Sequence, residues 1–467
     1  MIILILLLGL VLRLIRIDQS FWLDEASQAI MSSQSLSSIW FGREGDFHPP
    51  LSYIFSHFFL TASHNDIWLR MLPILFGIGS IYFLYIIGQK LFNKRIALVG
   101  ATLLAISPYH IYYSQEFRMY SQAVFFGLLT FNFFIDYLEK NSFRNVCLFA
   151  LSGGMLIYTH YFGMFLLISI FFYELFFEKA KTLNLVKAFL LILVLYIPWI
   201  PQFILQLKSG VVADQILPGW SNILNIPFLK AIPLTFLKFS IGRIDFESNF
   251  LYYIVALVVL SLFFTPIIYG IKKYKGHSVK FLLNWLFLPI TLAVAVSFFI
   301  PLFQPFRLLF VLPAYYLLIA FGLSQTGKYK NVLIAVIVVV SLISLGIYYT
   351  TPRFLREDWK GAVNYINQNV KEGELVVFVW PQPFPPYDWY KGNENTLRLV
   401  DRLPVKEEDV KLKLNGIKNT SKIYLFEYLQ DLSDPKRTTQ KEIIRLGFKE
   451  GEKNDFNGVG FIQIYQK

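Results

Sequence analysis

Residues 1–30 read "MIILILLLGLVLRLIRIDQSFWLDEASQAI", an almost wholly apolar run that is followed by two adjacent carboxylates, Asp24 and Glu25. The run 1–17 is long enough to cross the hydrocarbon of a bilayer as a helix. It has neither the basic n-region nor the small-residue cleavage site of a signal peptide, so we interpret it as a retained first transmembrane helix. The paired acids therefore lie just beyond a membrane-spanning segment.

The composition extends this interpretation to the whole chain. Of its 467 residues, 55% are hydrophobic and only 16% are charged, whereas about a quarter of the residues of soluble domains are charged. The net charge of +12 does not indicate nucleic acid, because Lys and Arg fall in short clusters between apolar runs, as they do in cytoplasmic membrane loops. The single Cys147 excludes an intrachain disulfide and a Cys-based metal site.

Hydropathy predicts about eleven transmembrane helices. They cover residues 1–17, 66–91, 96–113, 119–139, 144–159, 162–178, 186–204, 250–271, 281–300, 306–324 and 332–350. Basic residues recur in every second connection, which predicts that those loops and the N-terminus are cytoplasmic. The first loop 18–65, the long loop 205–249 and everything after residue 351 are then predicted to face outward.

Two outward segments have a predicted organisation of their own. The segment 205–249 is interrupted by Pro218, Pro227 and Pro233 and is too long for a passive connection, which predicts a lid or a substrate loop. Residues 351–467 are richer in charge and have shorter apolar runs, which predicts a small extracytoplasmic α/β domain. The fold prediction is a polytopic α-helical membrane domain, residues 1–350, followed by this domain.

The first loop offers ionisable groups next to the membrane. Asp24 and Glu25 suit the first turn of a helix over residues 26–39, where negative charge favours the helix dipole, or a chemical role. Later in the loop, "GDFHPPLSYIFSHFF" adds His48. Its prolines predict the start of an amphipathic helix that lies in the interface plane.

Other outward turns add further groups. The segment "SPYHIYYSQEFRMYSQ" (107–122) sets Glu116 and Arg118 between apolar runs, where charge is costly and usually faces a cavity or a partner. A purely structural ion pair is the alternative. The turns "YTHYFG" and "FQPFRLLF" add His160, Tyr161 and Arg307. Convergence of these turns would gather acids for proton transfer and arginines for a phosphate.

Arg13 and Arg16 lie at the predicted outer end of the first span, against the positive-inside bias. Binding of an anionic lipid phosphate explains this position. Snorkelling to ordinary headgroups explains it equally well.

Six motifs of the chain resemble bacterial and archaeal membrane glycosyltransferases of the dolichyl-phosphate-mannose protein mannosyltransferase superfamily, which have the GT-C fold. The motifs are "RLIRIDQSFWLDEA", "HPPL", "SQEFRMYS", "THYFG", "FRLLFVLPAYYLL" and "REDWKGAVNYI". Each is short, and their order and spacing carry the resemblance.

The resemblance implies transfer of a sugar from a polyprenyl-phosphate donor to a hydroxyl of a glycan, lipid or protein on the outer face, with inversion in one displacement. It implies that Asp24 is the catalytic carboxylate, with Glu25 beside it. The expected residues for the donor phosphate and the substrates are Arg118, Glu116, His48, Arg307, His160, Tyr161 and Arg16. No cofactor is required by the sequence, although Asp24, His48 and Glu116 are also residue types that ligate divalent cations.

Two other classes of function remain as alternatives. A polytopic transporter of lipid-linked or small polar substrates places ionisable groups or broken helices near the bilayer midplane, whereas the charges here are predicted at one face. A non-catalytic membrane scaffold is the third class. A lateral groove beside Asp24 favours the transferase, and a polar path through both faces favours transport.

Overall fold

The computed structural model of the protein describes residues 1–41, 47–178, 182–216, 226–246, 248–274, 276–300, 302–381, 384–400, 403, 405–417 and 420–467. The chain divides into two compact units. The first unit comprises Met1–Ile17, Leu36–Gln206 and Leu224–Phe354, and the second comprises Asp18–Ser35, Leu207–Ile223 and Leu355–Lys467.

The chain up to residue 350 is helical and mostly apolar, because a helix satisfies its backbone hydrogen bonds internally where lipid offers no partner. Apart from Leu23–Ser32 of the second unit, the α-helices of this part are Ile2–Leu14, Leu36–Phe41, Leu51–Ala62, Asp66–Leu91, Lys94–Ala105, Pro108–Ser114, Tyr120–Glu139, Phe143–Thr159, Gly163–Tyr173, Thr182–Tyr196, Ile200–Ile216, Phe228–Ile241, Asn249–Lys273, His277–Ser297, Leu312–Gln325 and Lys330–Thr350.

Each of the eleven predicted spans coincides with helical residues. Within the described part of the chain, seven helices are long and apolar enough to cross a membrane, or up to eight if a bent helix pair counts as one span. Ile2–Leu14, Leu51–Ala62 and Gly163–Phe177 are shorter apolar helices. The prediction of a multi-pass membrane protein is confirmed, and the number eleven stays a prediction.

The bent pair consists of Lys94–Ala105 and Pro108–Ser114, which meet at 61°. Proline lacks the N–H that a continuing helix needs and clashes with the preceding turn, so Pro108 begins a new helix. The side chain of Ser107 caps this helix by accepting a hydrogen bond from His110 N at 3.3 Å. The bend leads the chain into the turn that carries Glu116 and Arg118.

The prediction that residues 205–249 form a long loop was wrong, because much of this segment is helical. One helix, Ile200–Ile216, continues into it, and a second helix, Phe228–Ile241, lies within it. Residues 217–225, with Pro218, lie outside the described residues. Pro227 is the N-cap of the second helix, where a missing N–H has no helical partner to lose. The other proline, Pro233, is accommodated inside this helix.

The second unit contains a five-stranded sheet of order β2-β1-β3-β5-β4, which confirms the small C-terminal α/β fold. Its strands are β1 (Leu375–Phe378), β2 (Thr396–Arg398), β3 (Lys422–Phe426), β4 (Lys449–Phe456) and β5 (Gly460–Gln466). Strand β1 is parallel to β2 and β3, and β5 is antiparallel to β3 and β4. Its helices are Trp359–Asn369, Pro385–Trp389, Glu407–Asn415, Gln430–Ser433 and Thr438–Arg445.

Each face of this sheet packs in an apolar core. Successive residues of a strand point to opposite faces, so neighbouring residues of one strand enter different cores. In β1, Val376 and Phe378 pack in one apolar core, and Val377 packs in the other. The first core includes Trp359 at the start of helix Trp359–Asn369. This first core holds the start of that helix against the sheet.

The N-terminal segment Asp18–Ser35 is part of the second unit. Its helix Leu23–Ser32, which we call the acidic helix, carries Asp24 and Glu25 in its first turn. The ring of Phe21 stacks on Trp389 with centroids 5.6 Å apart, and Phe21 N donates a hydrogen bond to Tyr390 Oη at 2.6 Å. The predicted first outer loop 18–65 is therefore divided between the two units.

Candidate functional site

In the first unit, residues 115–119 form a buried turn between helices Pro108–Ser114 and Tyr120–Glu139. Gln115 anchors the turn, because its Nε2 donates to the carbonyl oxygens of Arg13 and Ile15 at 2.9 Å and 2.6 Å. Glu116 is 1% exposed and Arg118 is 8% exposed. The turn thus holds both predicted charges away from bulk water, where their electrostatic interactions are strong.

Four predicted residues of the first unit come together in what we call the His–Arg cluster, namely His48, Arg118, His160 and Arg307. Arg118 Nη2 lies 3.5 Å from His48 Nε2. His160 interacts electrostatically with the other three members. The members come from four segments that are separate in the sequence and were predicted to face outward, so these four residues converge as expected. Asp24 and Glu25 belong to the second unit.

Protein contacts hold the members of the cluster in place. Gln206 Nε2 donates to the carbonyl oxygen of His48 at 3.3 Å, and Tyr161 donates from its hydroxyl to Gln206 Oε1. Trp199 Nε1 in turn donates to Tyr161 Oη at 3.0 Å. Tyr161 therefore supports His48 through Gln206. Arg307 Nη1 donates to the carbonyl oxygen of Leu302 at 2.8 Å.

Glu116 lies close to a group of buried tyrosines. It interacts electrostatically with Tyr109 and Tyr113, whose ring centroids are 4.9 Å apart in an edge-to-face arrangement. In the same unit, the guanidinium of Arg243 lies 4.4 Å from the ring centroid of Tyr112 and donates to its hydroxyl. Sequence reasoning missed Arg243, because it lies in the segment that was described only as a long loop.

Arg13 and Arg16 have different surroundings. Arg13 is fully buried, and it donates to the carbonyl oxygens of Gly9 and Ala105 at 2.8 Å and 3.1 Å. Both explanations offered for Arg13 at the sequence level, lipid phosphate and snorkelling, were wrong, because this guanidinium links helices inside the first unit. Arg16 is exposed, and its Nε donates to the carbonyl oxygen of Tyr349 at 3.3 Å.

In the second unit, the two adjacent acids have different environments. Glu25 is fully buried, and its Oε2 lies 3.7 Å from Nη1 of the buried Arg356. Asp24 is half-buried. Neighbouring residues of a helix do not face the same side, so the pair separates into one carboxylate in an ion pair and one that is more accessible. Sequence reasoning did not identify Arg356.

Glu357 is a further acid of the second unit that sequence reasoning missed as a functional residue. Its carboxylate accepts hydrogen bonds from Trp359 Nε1 at 2.7 Å, from Tyr428 Oη at 3.1 Å and from the backbone N–H of Leu23. Burial raises the pKa of Glu357 to about 7, and the negative charge of Asp24 adds to the rise, although the three hydrogen bonds oppose it. The motif "REDW", which contains Glu357, was the sequence feature that could have identified this residue.

Two of the candidate divalent-cation ligands, His48 and Glu116, belong to the first unit, and the third, Asp24, belongs to the second. Among the described residues, no group of three or more His, Cys, Asp or Glu side chains is arranged to hold a metal ion. His48 Nε2 faces the guanidinium of Arg118 at 3.5 Å, and a cation bound to that nitrogen would meet a like charge.

Residues 47–204 match the family model of dolichyl-phosphate-mannose-protein mannosyltransferases. No curated protein sequence matches the chain. Solved structures share its fold at low identity. The structure of ArnT from Cupriavidus metallidurans bound to undecaprenyl phosphate has a TM-score of 0.63 at 12% identity, and the match covers 99% of this chain and 97% of ArnT.

Oligosaccharyltransferases give similar matches. The archaeal enzyme AglB from Archaeoglobus fulgidus, in complex with an inhibitory peptide and a dolichol-phosphate, has a TM-score of 0.56 at 13% identity, with coverage of 99% of this chain and 73% of AglB. A structure of the Archaeoglobus fulgidus oligosaccharyltransferase with Zn and sulfate has a TM-score of 0.56 at 12% identity, with coverage of 97% and 71%.

At these identities the structural matches establish the fold, and the family match adds the segment that carries His48, Glu116, Arg118, His160 and Tyr161. Both agree with the resemblance drawn from the six sequence motifs. The chain has the GT-C fold of membrane glycosyltransferases, and its residues 47–204 are similar to dolichyl-phosphate-mannose-protein mannosyltransferases.

Proposed function

We propose that the protein transfers a sugar from a polyprenyl-phosphate-linked donor to a hydroxyl group of a glycan, lipid or protein on the outer face of the membrane. The observation that carries this proposal is the coincidence of the family match, residues 47–204, with the segment that supplies most of the His–Arg cluster. The similar structures of ArnT and AglB, which hold undecaprenyl phosphate and a dolichol-phosphate, support a lipid-phosphate donor.

In the proposed reaction, Asp24 accepts the proton of the acceptor hydroxyl as the oxygen attacks the anomeric carbon. The bond between that carbon and the phosphate oxygen breaks at the same time, and the lipid phosphate leaves with the bonding electrons. Attack opposite the leaving group inverts the anomeric configuration. The half-buried position of Asp24 in the first turn of the acidic helix supports this role, because a carboxylate that is partly exposed can be approached by an acceptor hydroxyl.

Arg118 is proposed to hold the phosphate that leaves. Its guanidinium is buried and lies against His48, and a fixed cation in a water-poor environment stabilises developing negative charge better than one in water. His48, His160 and Arg307 would complete the binding of the phosphate. Glu116, with the adjacent tyrosines, is proposed to orient the sugar or the acceptor.

The most direct test of this function is consumption of a polyprenyl-phosphate sugar by the purified protein. The readouts are release of free polyprenyl phosphate and appearance of the sugar on an acceptor. The transporter alternative predicts movement of a lipid-linked substrate across a vesicle membrane without cleavage of the sugar–phosphate bond. No observation on the described residues favours that alternative over transfer.

The orientation of the chain in the membrane is also a proposal, with the N-terminus cytoplasmic and the C-terminal unit extracytoplasmic. In a Cys147→Ala background, Ser37→Cys and Lys441→Cys are expected to react with a membrane-impermeant maleimide in intact cells, because both positions are exposed and predicted to lie outside. The exposed Lys328→Cys is the internal control and should react only after permeabilisation. Reaction of Lys328→Cys in intact cells would reverse the proposed orientation.

Turnover is expected to persist in the presence of EDTA, because Asp24 supplies the proton acceptor and Arg118 the positive charge that the displacement requires. The measurement is the initial rate of transfer before and after chelation, with Zn²⁺, Mn²⁺ or Mg²⁺ then added back singly. A loss of activity that one of these cations restores would add a metal to the proposed mechanism.

A further inference from the structure

The four residues Arg356–Trp359, the "REDW" motif, connect the C-terminal part of the second unit to its N-terminal segment. Arg356 forms the ion pair with Glu25, and its backbone N–H donates to Gln19 Oε1 at 2.8 Å. Asp358 accepts from Ser20 Oγ at 3.3 Å and from Gly361 N at 3.0 Å. Asp358 therefore caps its own helix, Trp359–Asn369, and contacts the N-terminal segment at the same time.

Glu357 contacts the acidic helix at its first residue. The backbone N–H of Leu23 is one of the N-terminal donors that have no partner within a helix, and the carboxylate of Glu357 accepts from it. The other hydrogen-bond donors to this carboxylate, Trp359 Nε1 and Tyr428 Oη, belong to the aromatic core of the domain. The start of the acidic helix is thus connected through Glu357 to the buried aromatic core of the α/β fold.

We propose that the segment Arg356–Trp359 holds the acidic helix in its working orientation, and that Glu357 is the positioning residue that fixes Asp24 through the Leu23 backbone. This inference rests on the proposed function of Asp24. Arg356 holds the buried side of the helix through Glu25 and leaves Asp24 as the accessible acid. Glu357 acts through the backbone and does not itself touch a substrate.

In this arrangement, the hydrogen bonds by which Glu357 holds the acidic helix depend on pH. Among the described residues, the charged or titratable groups that face or adjoin Glu357 include Asp24 on the acidic helix, Tyr428 after β3, and its chain neighbours Arg356 and Asp358. The pKa of Glu357 is about 7, so its carboxyl group loses its proton as the pH rises through neutrality. The ionised carboxylate only accepts hydrogen bonds and holds its three donors more strongly. Turnover should therefore rise with pH across this range.

The first experiment compares pH profiles of kcat for sugar transfer. Wild-type protein should show an acid limb centred near pH 7. Glu357→Gln should remove this limb and lower kcat about 10- to 100-fold, the scale of a misplaced catalytic group, with a nearly unchanged KM for the donor. Tyr428→Phe removes a hydrogen bond that favours the ionised form, so it should move the acid limb to higher pH.

The matched control is Glu374→Gln. Glu374 also accepts hydrogen bonds from a tyrosine hydroxyl and a backbone N–H in the second unit, those of Tyr424 and Lys371. Because these contacts do not involve the acidic helix, Glu374→Gln should keep the wild-type kcat and acid limb. A wild-type profile in Glu357→Gln, or an equal loss in both variants, would overturn the proposal.

The second experiment does not depend on activity. Hydrogen–deuterium exchange at pH 8 should become faster in peptides of the acidic helix, Leu23–Ser32, in Glu357→Gln, while helix Trp359–Asn369 stays protected. Unchanged exchange of the acidic helix, or loss of protection throughout the domain, would contradict a positioning role. If wild-type protein transfers no sugar from any donor, the proposed function fails, whereas the exchange result still decides whether Glu357 holds the acidic helix.

Discussion

Asp24→Asn is expected to lower turnover by roughly 10²–10⁴-fold, the usual worth of a general base, without loss of folding or membrane insertion. Asparagine has nearly the same shape as aspartate, and Asp24 is half-buried in a first helical turn, where asparagine is tolerated. The amide cannot accept the hydroxyl proton. The measurement is kcat at saturating donor, with purified protein whose folding is checked by gel filtration and by circular dichroism.

Asp409→Asn is the control for this substitution, because Asp409 lies in the first turn of another helix of the same unit, Glu407–Asn415. It should turn over at the wild-type rate. Glu25→Gln should behave differently from both, because it removes a buried partner of Arg356 and so lowers the yield of folded protein. Wild-type turnover in folded Asp24→Asn would remove Asp24 from the mechanism.

Arg118→Ala is expected to lower kcat by roughly 10²–10³-fold, the effect of removing one group that stabilises charge in the transition state. Arg118→Lys keeps the positive charge but loses the planar fork that grips two phosphate oxygens. Arg118→Lys should therefore lower kcat by less than Arg118→Ala does. If the contact strengthens as the phosphate leaves, Arg118→Lys should lower kcat by a larger factor than it lowers donor affinity. Measurements of donor affinity and of single-turnover rates for the two variants separate the effect on binding from the effect on the chemical step.

The competing explanation is that Arg118 only neutralises Glu116. Arg118 also contacts His48, and Glu116 also interacts with two buried tyrosines, so each charge has a neighbour besides the other. The double variant Glu116→Gln/Arg118→Gln should remain as slow as Arg118→Ala, while Arg144→Ala, at an exposed position, should be unaffected. Near-normal turnover of the double variant would show that the pair is structural, and Arg307 would become the candidate for the phosphate.

Much of the fold could be predicted from the sequence, because a membrane helix must be both long and apolar. Tyr120–Glu139, for example, was predicted to within one residue at its start. Elements without that pattern were missed. Strand β4 reads "KEGEKNDF" and has no alternation of apolar residues, and helix Phe228–Ile241 was missed because prolines at its start and within it were interpreted as breaks.

The candidate site was predictable where short motifs carried ionisable groups in separate turns that were predicted to face outward, as for His48, Arg118, His160 and Arg307. Tertiary partners were not predictable. The adjacent Asp24 and Glu25 are equivalent in the sequence, and only packing against Arg356 buries one of them. Glu357 likewise gains its raised pKa from burial beside Tyr428 and Asp24, which lie far from it in the sequence.

The central claim is tested most directly by purified protein in liposomes, supplied with a panel of radiolabelled polyprenyl-phosphate hexoses and pentoses and with acceptor-bearing membrane extract. We expect at least one donor to be consumed, with release of free polyprenyl phosphate, inversion at the anomeric carbon of the product, and loss of both signals in Asp24→Asn. Failure to consume any donor, under conditions where a known lipid-phosphate glycosyltransferase is active, would contradict the proposed function.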